Sequence, residues 1–189
     1  MTHPHVNNKA AGPSAAGAGD VFVALDQTHQ QFLDAIDELE ELIRKIETDG
    51  ITRPLQARAA SIAQTLARAA EHHEDEERDV FPVLLARGDA ALTDIVRRLH
   101  QDHGWLEENW LELGPHLQAI GSGYGTWDVD TLRAGIPVMA ALLRDHVALE
   151  ESIAYPQARA QLSADTRNEM GRAMAARHRA ARLAAQQRT

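Results

Sequence analysis

The chain has 189 residues, a net charge of -9 and no cysteine. This length is sufficient for one domain with a substantial core. Without cysteine, the sequence excludes disulfides, thiolate metal sites, iron-sulfur clusters and cysteine nucleophiles. A metal held by this chain must therefore be bound through nitrogen and oxygen. The acidic balance does not favour nucleic acid as a partner, and no apolar run approaches the roughly 20 residues that span a bilayer.

The two ends of the chain differ in composition from the part between them. Residues 1–19 are rich in alanine and glycine and predict a flexible leader. The first residues lack the basic and apolar blocks of a signal peptide, so we expect a cytoplasmic protein with no membrane partner. Residues 162–189 predict a helical tail, whose six arginines are interpreted as part of a solvated helix face. Residues 20–161 are expected to form the folded domain.

The hydrophobic pattern of the first half predicts two long helices. From Phe22 to Ile46, apolar residues recur every three or four positions, as the buried face of a helix requires. Gly50 ends this helix. Thr52 and a following proline are expected to cap the second helix, which covers about residues 54–86.

The second half repeats this pattern. The third helix has an apolar face from Val96 to Ile120, and the glycine-rich residues 121–125 predict the loop after it. Asp128 or Asp130 is expected to cap the fourth helix, whose apolar face includes Ile153.

Long helices joined by short loops favour neighbours that pack antiparallel. We therefore predict an all-α protein, an antiparallel up-down-up-down four-helix bundle with an additional C-terminal helix. That last helix covers about residues 164–185 and packs outside the bundle.

Polar residues of metal-binding type interrupt these apolar faces. They form two sets of three, and the second set follows the first at an offset of 74 positions. In each set a histidine and a glutamate lie four residues apart, which places both on one face of a helix. Two such hairpins facing each other would bring all the side chains together. The six residues are His29, His72, Glu76, His103, His146 and Glu150.

Two carboxylates in the core of a bundle need compensating positive charge, because their burial costs several kcal/mol otherwise. Arg68, Arg78 and Arg144 are close in sequence to the His-Glu pairs, but their spacing does not place them on the helix faces that carry the two glutamates. A lone histidine on an apolar face is more often a core residue than a ligand, whereas repetition of the whole set favours metal. Four imidazoles and two carboxylates suit a pair of first-row transition ions, with iron or manganese favoured and zinc left open.

The remaining histidines do not share the repeat. His73 and His116 have apolar counterparts in the other copy and are interpreted as structural or exposed. His100 and its counterpart Asp26 are candidates for orienting the site from outside, and a ligand role for His100 is left open. His178 is interpreted as unrelated to the site.

The segments around the two His-Glu pairs are similar to a known signature. Residues 72–82 read HHEDEERDVFP and residues 146–156 read HVALEESIAYP, and both match H-x-x-x-E-E-x-x-x-[FY]-P. The chain thus resembles the hemerythrin-like HHE cation-binding family over about residues 20–160. This resemblance implies an antiparallel four-helix bundle with a non-haem di-iron centre, bridged by an oxo or hydroxo group.

The family pattern implies that the four histidines are terminal ligands and that Glu76 and Glu150 bridge the irons. Oxygen-carrying hemerythrins have a further histidine where this chain has Leu99, and an aspartate in place of the second glutamate. The set is more similar to bacterial proteins that repair iron centres after nitrosative stress, and to hemerythrin-like proteins that react with peroxide. The repair proteins have a cysteine-bearing N-terminal domain, so this cysteine-free chain does not predict iron delivery through a thiol.

These features predict a protein that binds a small diatomic molecule or peroxide as its ligand. We expect a non-haem di-iron protein that reacts with O2, NO or H2O2 in oxidative or nitrosative stress, and peroxide disproportionation is left open as an enzymatic activity. No catalytic residue is assigned. The alternative is a non-enzymatic module that binds or senses oxygen, or that stores or donates iron. A structural bundle that holds zinc or no metal is the third interpretation.

Overall fold

A computed structural model of the chain describes residues 19–187. The leader predicted for residues 1–19 lies outside the described residues, apart from Gly19. The first helix, α1, extends over Val21–Asp49. It begins where the Asp20 side chain accepts a hydrogen bond of 3.0 Å from the backbone N–H of Phe22, and it ends at Gly50, whose φ of 74° favours glycine.

The second arm of the bundle is divided into four segments, whereas the sequence predicted one continuous helix. Thr52 precedes the arm as expected, but its side chain makes no capping hydrogen bond with the described residues. The proline in the first helical turn is compatible with the helix start, because its missing N–H would have no helical partner there. The segments are α2 (Arg53–Leu66), α3 (Ala69–Asp75), a first π-helical turn (Glu76–Val80) and α4 (Phe81–Leu85).

The third and fourth arms follow the predicted pattern with two differences at their ends. The helix before the glycine-rich loop continues through Ser122, and the chain turns at Gly123, where φ is 70°. Asp128, not Asp130, is the capping residue, and its carboxylate accepts a 3.0 Å hydrogen bond from the Asp130 N–H. The third arm is α5 (Ala90–Ser122). The fourth arm consists of α6 (Val129–Leu149), a second π-helical turn (Glu150–Ala154) and α7 (Tyr155–Arg159). The outer helix, α8, covers Ala164–Gln186.

The arms pack as a bundle, with α1 and α5 each in contact with both α2 and α6. Neighbouring arms are antiparallel: Gly121 at the end of α5 lies against Ala60, which is in the middle of α2 and thus toward the start of the second arm. α8 packs outside the bundle against α1. The predicted all-α bundle with an additional C-terminal helix is confirmed. Within residues 19–187, no helix combines the length and the apolar character needed to cross a bilayer.

The buried core consists of two apolar clusters with a polar layer between them. On α1, His29 separates Leu25 of one cluster from Phe32 of the other. The equivalent histidine on α5 separates the same two clusters. The six polar residues of the repeat therefore lie across the middle of the bundle.

The second π-helical turn changes which residues of the last arm face the core. Ile153, predicted on the apolar face, is 38% exposed, whereas Ala154 and Tyr155 are buried. In a π-helical turn the hydrogen bond reaches one residue further than in an α-helix. The residues after Glu150 are therefore rotated relative to a continuous α-helix, and the placement of Ile153 on the apolar face is wrong.

Candidate metal centre

The six repeated residues come together in the middle of the bundle. α1 and α5 each supply one histidine, and the two arms with π-helical turns each supply one histidine and one glutamate. All six are buried, with at most 5% exposure. In each of two groups, the donor atoms lie within 4.8 Å of one another, and both glutamates belong to both groups. The groups are His29, His72, Glu76 and Glu150, and Glu76, His103, His146 and Glu150.

Glu76 faces histidines of both groups. Its Oε1 lies 3.3 Å from His72 Nε2 and 3.7 Å from His29 Nε2. Its Oε2 lies 3.5 Å from His103 Nε2. The two oxygens of this carboxylate therefore point to different donor groups.

Glu150, from the opposite hairpin, also faces histidines of both groups, but one of its oxygens is close to both. Its Oε2 lies 3.1 Å from His146 Nε2 and 3.2 Å from His29 Nε2. Its Oε1 lies 3.9 Å from His103 Nε2. Two carboxylates placed between the same histidines have the arrangement that bridging ligands require.

Several of these buried donor atoms have no hydrogen-bond partner among the described residues. Buried polar atoms are nearly always hydrogen-bonded, and unpaired ones cost free energy. Imidazole nitrogens and carboxylate oxygens that converge on one small volume are the donors that first-row transition ions take. The residues present therefore fit a two-metal site. The unpartnered atoms are His72 Nε2, His103 Nε2, His146 Nε2, Glu76 Oε2 and both carboxylate oxygens of Glu150.

Each bridging-type glutamate is the first residue of a π-helical turn. The backbone N–H of Phe81 donates to the Glu76 carbonyl, and that of Tyr155 donates to the Glu150 carbonyl. A proline follows each turn. Because proline cannot donate to the carbonyl four residues earlier and clashes with it, it favours a departure from α-helical bonding. Single π-helical turns are frequent at functional sites.

The second glutamate of each Glu-Glu pair supports a histidine of the other hairpin. His103 Nδ1 lies 2.8 Å from Glu77 Oε1, and His29 Nδ1 lies 3.1 Å from Glu151 Oε1. A carboxylate on the outer nitrogen fixes the tautomer and orientation of a ligating imidazole. Glu77 and Glu151 are not among the predicted site residues, although they too are 74 positions apart.

Comparison with known proteins agrees with this geometry. The family model of the hemerythrin HHE cation-binding domain matches residues 20–158. The chain belongs to this family. An uncharacterized protein of Haemophilus influenzae is 35% identical over 133 residues, which cover 70% of this chain and 74% of that protein. Binding of metal ions, typically iron, is the property that this family implies.

The hemerythrin domain of this chain also carries a fifth buried imidazole at the centre. His73 is 2% exposed, and its ring stacks on that of His103 with the centroids 4.0 Å apart. Burial, followed by the proximity of His103, lowers the pKa of His73 to about 2. His73 thus packs on His103, and one of its ring nitrogens lies within 4.8 Å of donor nitrogens of His103 and His146. The alternative that His73 is exposed is wrong.

Two of the residues considered for orienting the hemerythrin centre lie at its edge. The His100 side chain is 53% exposed, and its Nδ1 lies 3.0 Å from Glu77 Oε1. It therefore reaches the carboxylate that contacts His103. Asp26 lies 3.3 Å from Arg159 on the surface. His116 is remote from the centre and accepts a 3.0 Å hydrogen bond from the Asp128 N–H.

The outer helix α8 contacts the hemerythrin bundle at Asp75, and His178, predicted to be unrelated to the site, takes part in this contact. His178 Nε2 lies 2.6 Å from Asp75 Oδ2, and Arg177 donates a 2.7 Å hydrogen bond to the same carboxylate. Asp75 is buried and precedes Glu76 in the chain. These basic residues of the tail therefore pair with acidic residues of the bundle, and the tail is more than a solvated face.

The charges within the hemerythrin centre balance each other. Burial disfavours protonation of His29 and His103, but the nearby carboxylates of Glu150 and Glu76 outweigh it and raise the pKa of each histidine to about 10. Burial disfavours ionisation of the carboxyls, but the histidines outweigh it. They hold the pKa of Glu76 well below its usual range and lower that of Glu150 to about 2. Two imidazolium groups thus offset two carboxylates.

Proposed function

We propose that this protein holds two iron ions at the polar layer and uses them to react with O2, NO or H2O2 during oxidative or nitrosative stress. The observation that carries the proposal is the division of the donors into two groups that share Glu76 and Glu150. When bound, a pair of iron ions supplies redox chemistry toward small oxygen and nitrogen compounds.

The residues of the chain have distinct roles in this proposal. The four histidines of the two groups act as terminal ligands, and the two shared carboxylates bridge the ions. Glu77 and Glu151 hold the outer nitrogens of His103 and His29, and so they keep the inner nitrogens directed at the centre. The apolar clusters on either side exclude bulk water and keep the electrostatic interactions of the centre strong.

An apolar cavity beside the centre supports a small uncharged reactant. The cavity has a volume of about 170 Å³, and apart from Glu107 its lining is apolar. Phe32 lines the cavity, and its ring meets the ring of His72 edge-on with the centroids 5.3 Å apart. Dioxygen and nitric oxide are small and apolar enough to occupy such a space.

Elemental analysis of protein purified without added metal tests the ligand assignment. We expect two iron ions per chain, and loss of bound iron in Glu76→Ala and Glu150→Ala. Glu74→Ala, at an exposed position of the same arm, is the matched control and retains both ions. Zinc in place of iron, or iron that remains bound after Glu76→Ala, would refute the proposed centre.

Reaction with hydrogen peroxide separates an enzyme from a binding module. Sustained O2 release by the iron-loaded protein, lost in Glu76→Ala, supports disproportionation of peroxide. A single stoichiometric change of the visible spectrum without turnover supports the second candidate, which is a module that binds or senses the reactant. The full burial of Glu76 and Glu150 favours this second candidate, since a closed centre slows the exchange of product.

A further inference from the structure

We propose that Tyr155 is a ligand at one of the two metal positions, the one formed by His29 and His72. The inference rests on the proposed metal binding and adds a phenolate oxygen as a fifth protein donor at that position. The two positions are then chemically different, although the hairpins that form them are repeats.

The hydroxyl group of Tyr155 lies among the donor atoms of this group. The side chain is buried, and its hydroxyl donates a hydrogen bond to Glu76 Oε1. The hydroxyl oxygen also lies 3.2 Å from His29 Nε2. Ligands at right angles around an ion, with bonds of about 2.1 Å, are roughly 3.0 Å apart. His29 Nε2 and Glu150 Oε2, which are 3.2 Å apart, show the same spacing.

The second π-helical turn places Tyr155 in this position. Its backbone N–H donates to the carbonyl of Glu150, so the tyrosine and the glutamate lie side by side on the same face. The ring stacks on that of His29, with the centroids 5.4 Å apart and an interplanar angle of 10°. Phe22 packs on the tyrosine ring at 5.5 Å. The ring is thereby held with its oxygen beside the histidine nitrogen.

The other hairpin has the same arrangement without the oxygen. Phe81 is the counterpart of Tyr155 at the 74-residue offset, and its ring stacks on that of His103 at 5.5 Å and 14°. A phenylalanine ring is therefore sufficient for stacking on the histidine, and packing alone does not require the hydroxyl group of Tyr155. A buried hydroxyl must have hydrogen-bond partners, and the two partners of Tyr155 are both proposed ligands of one ion.

Phenolate oxygen is a suitable donor for ferric iron, as tyrosine ligation of haem iron shows. Coordination forms one oxygen–metal bond and breaks the O–H bond, and one proton leaves to solvent without any transfer of electrons.

The experiment uses the fact that the chain has two tyrosines, Tyr124 and Tyr155. The full chain, stripped of metal with a chelator, is titrated with the redox-silent ion gallium(III) and separately with ferric iron. We expect gallium to produce the near-ultraviolet difference spectrum of one phenolate per chain. We expect the ferric protein to show a visible phenolate-to-iron charge-transfer band.

Two variants assign these signals. Tyr155→Phe is expected to lose both while still binding two ions by elemental analysis, whereas Tyr124→Phe, at an 83% exposed position, keeps both. The inference is overturned if the wild type binds two ions without a phenolate signal, or if the signal survives Tyr155→Phe. A protein that binds no metal overturns the proposed function as well, and elemental analysis distinguishes this result from the others.

Discussion

Glu76 and Glu77 are neighbours in the sequence, but they act on the centre from different directions. Successive residues of a helix point about 100° apart, so the first glutamate faces the middle of the bundle and the second reaches sideways. Glu76 is fully buried, whereas the side chain of Glu77 is 36% exposed and contacts His103 on another arm. The Glu-Glu pair thus places one carboxylate between the two donor groups and the other against the outer nitrogen of a histidine.

Removal of the orienting carboxylates is expected to weaken metal binding. Glu77→Ala and Glu151→Ala each leave a histidine ring without the partner of its outer nitrogen, and we expect a loss of about 10- to 100-fold in affinity for one ion. Competition with a chelator measures this affinity. Glu74→Ala is the control of equal charge, and equal affinities in all three variants would contradict the assigned role.

The histidine and glutamate pKa values predict how the stability of metal-stripped protein depends on pH. The pKa values of His29 and His103 are raised from 6.5 to about 10, so their stabilising contribution is complete below pH 6.5 and is lost as the pH rises toward 10. Those of Glu76 and Glu150 lie below 4.5, the latter at about 2, so their contribution is present above pH 4.5 and is lost as the pH falls.

Burial lowers the pKa of His72 and His73, so these two histidines make the protein less stable as the pH falls below 6.5. The metal-stripped protein is therefore expected to be most stable near pH 6.5 and to lose stability toward both pH 4.5 and pH 9. Thermal unfolding across this range measures the effect. The iron-loaded protein is the control and is expected to keep its stability above pH 6.5, because the ions take the place of the histidine protons. If the stability of the metal-stripped protein rose from pH 6.5 to 9, this would contradict the pairing of protonated His29 and His103 with the two buried glutamates.

At the scale of elements, α8 is held to the bundle by close backbone contact as well as by ion pairs. Gly171 of α8 lies against the residues that precede α1, and a methyl group on it would be 2.0 Å from the Gly19 carbonyl oxygen. Arg167, on the same helix, donates a 2.7 Å hydrogen bond to Asp20, the capping residue of α1. The outer helix therefore secures the start of the arm that carries His29.

Gly171→Ala is expected to lower the stability of the protein by roughly 1–3 kcal/mol, since the added methyl group forces α8 away from Gly19. Gly104→Ala is the matched control, because a methyl group there would meet no described atom within 4 Å. That change is expected to raise stability by roughly 0.5–1 kcal/mol through helix propensity. Denaturant unfolding measures both, and equal effects would argue against a tight contact of α8.

At the scale of the whole molecule, the polar layer links four arms that apolar packing alone also holds together. In the metal-stripped protein, His29 and His103 carry the positive charge that Glu76 and Glu150 need. The two buried carboxylates are therefore not left unpaired, and we expect this form to remain folded. Bound ions then add stability by linking residues of every arm.

Loading with iron is expected to raise the free energy of unfolding by about 2.7 kcal/mol when free iron is at 100 times its dissociation constant. The reason is that the complete set of ligands exists only in the folded bundle. Thermal unfolding with and without a chelator measures the shift, and elemental analysis verifies the removal. Glu150→Ala should show a much smaller shift; an equal shift would mean that the stabilising ion binds elsewhere.

The sequence alone determined the four-arm bundle and the six polar residues at its centre. Both follow from periodicity, because the spacing of residues along a helix decides which of them share its buried face. A repeat at constant offset then indicated that two hairpins would present the same side chains to each other. The breaks in the second and fourth arms did not follow from this pattern, since a π-helical turn rotates the residues after it, as Ile153 shows.

The tertiary structure alone decided which side chains of different arms meet. The contacts of Glu77 with His103 and of Asp75 with His178 join residues far apart in the chain. The same is true of Tyr155, whose hydroxyl meets Glu76 from the opposite hairpin. Spacing within one helix sets the direction of a side chain relative to its own axis. Which residue of another helix that side chain contacts depends on how the helices pack, and the periodicity of one helix carries no information about this packing.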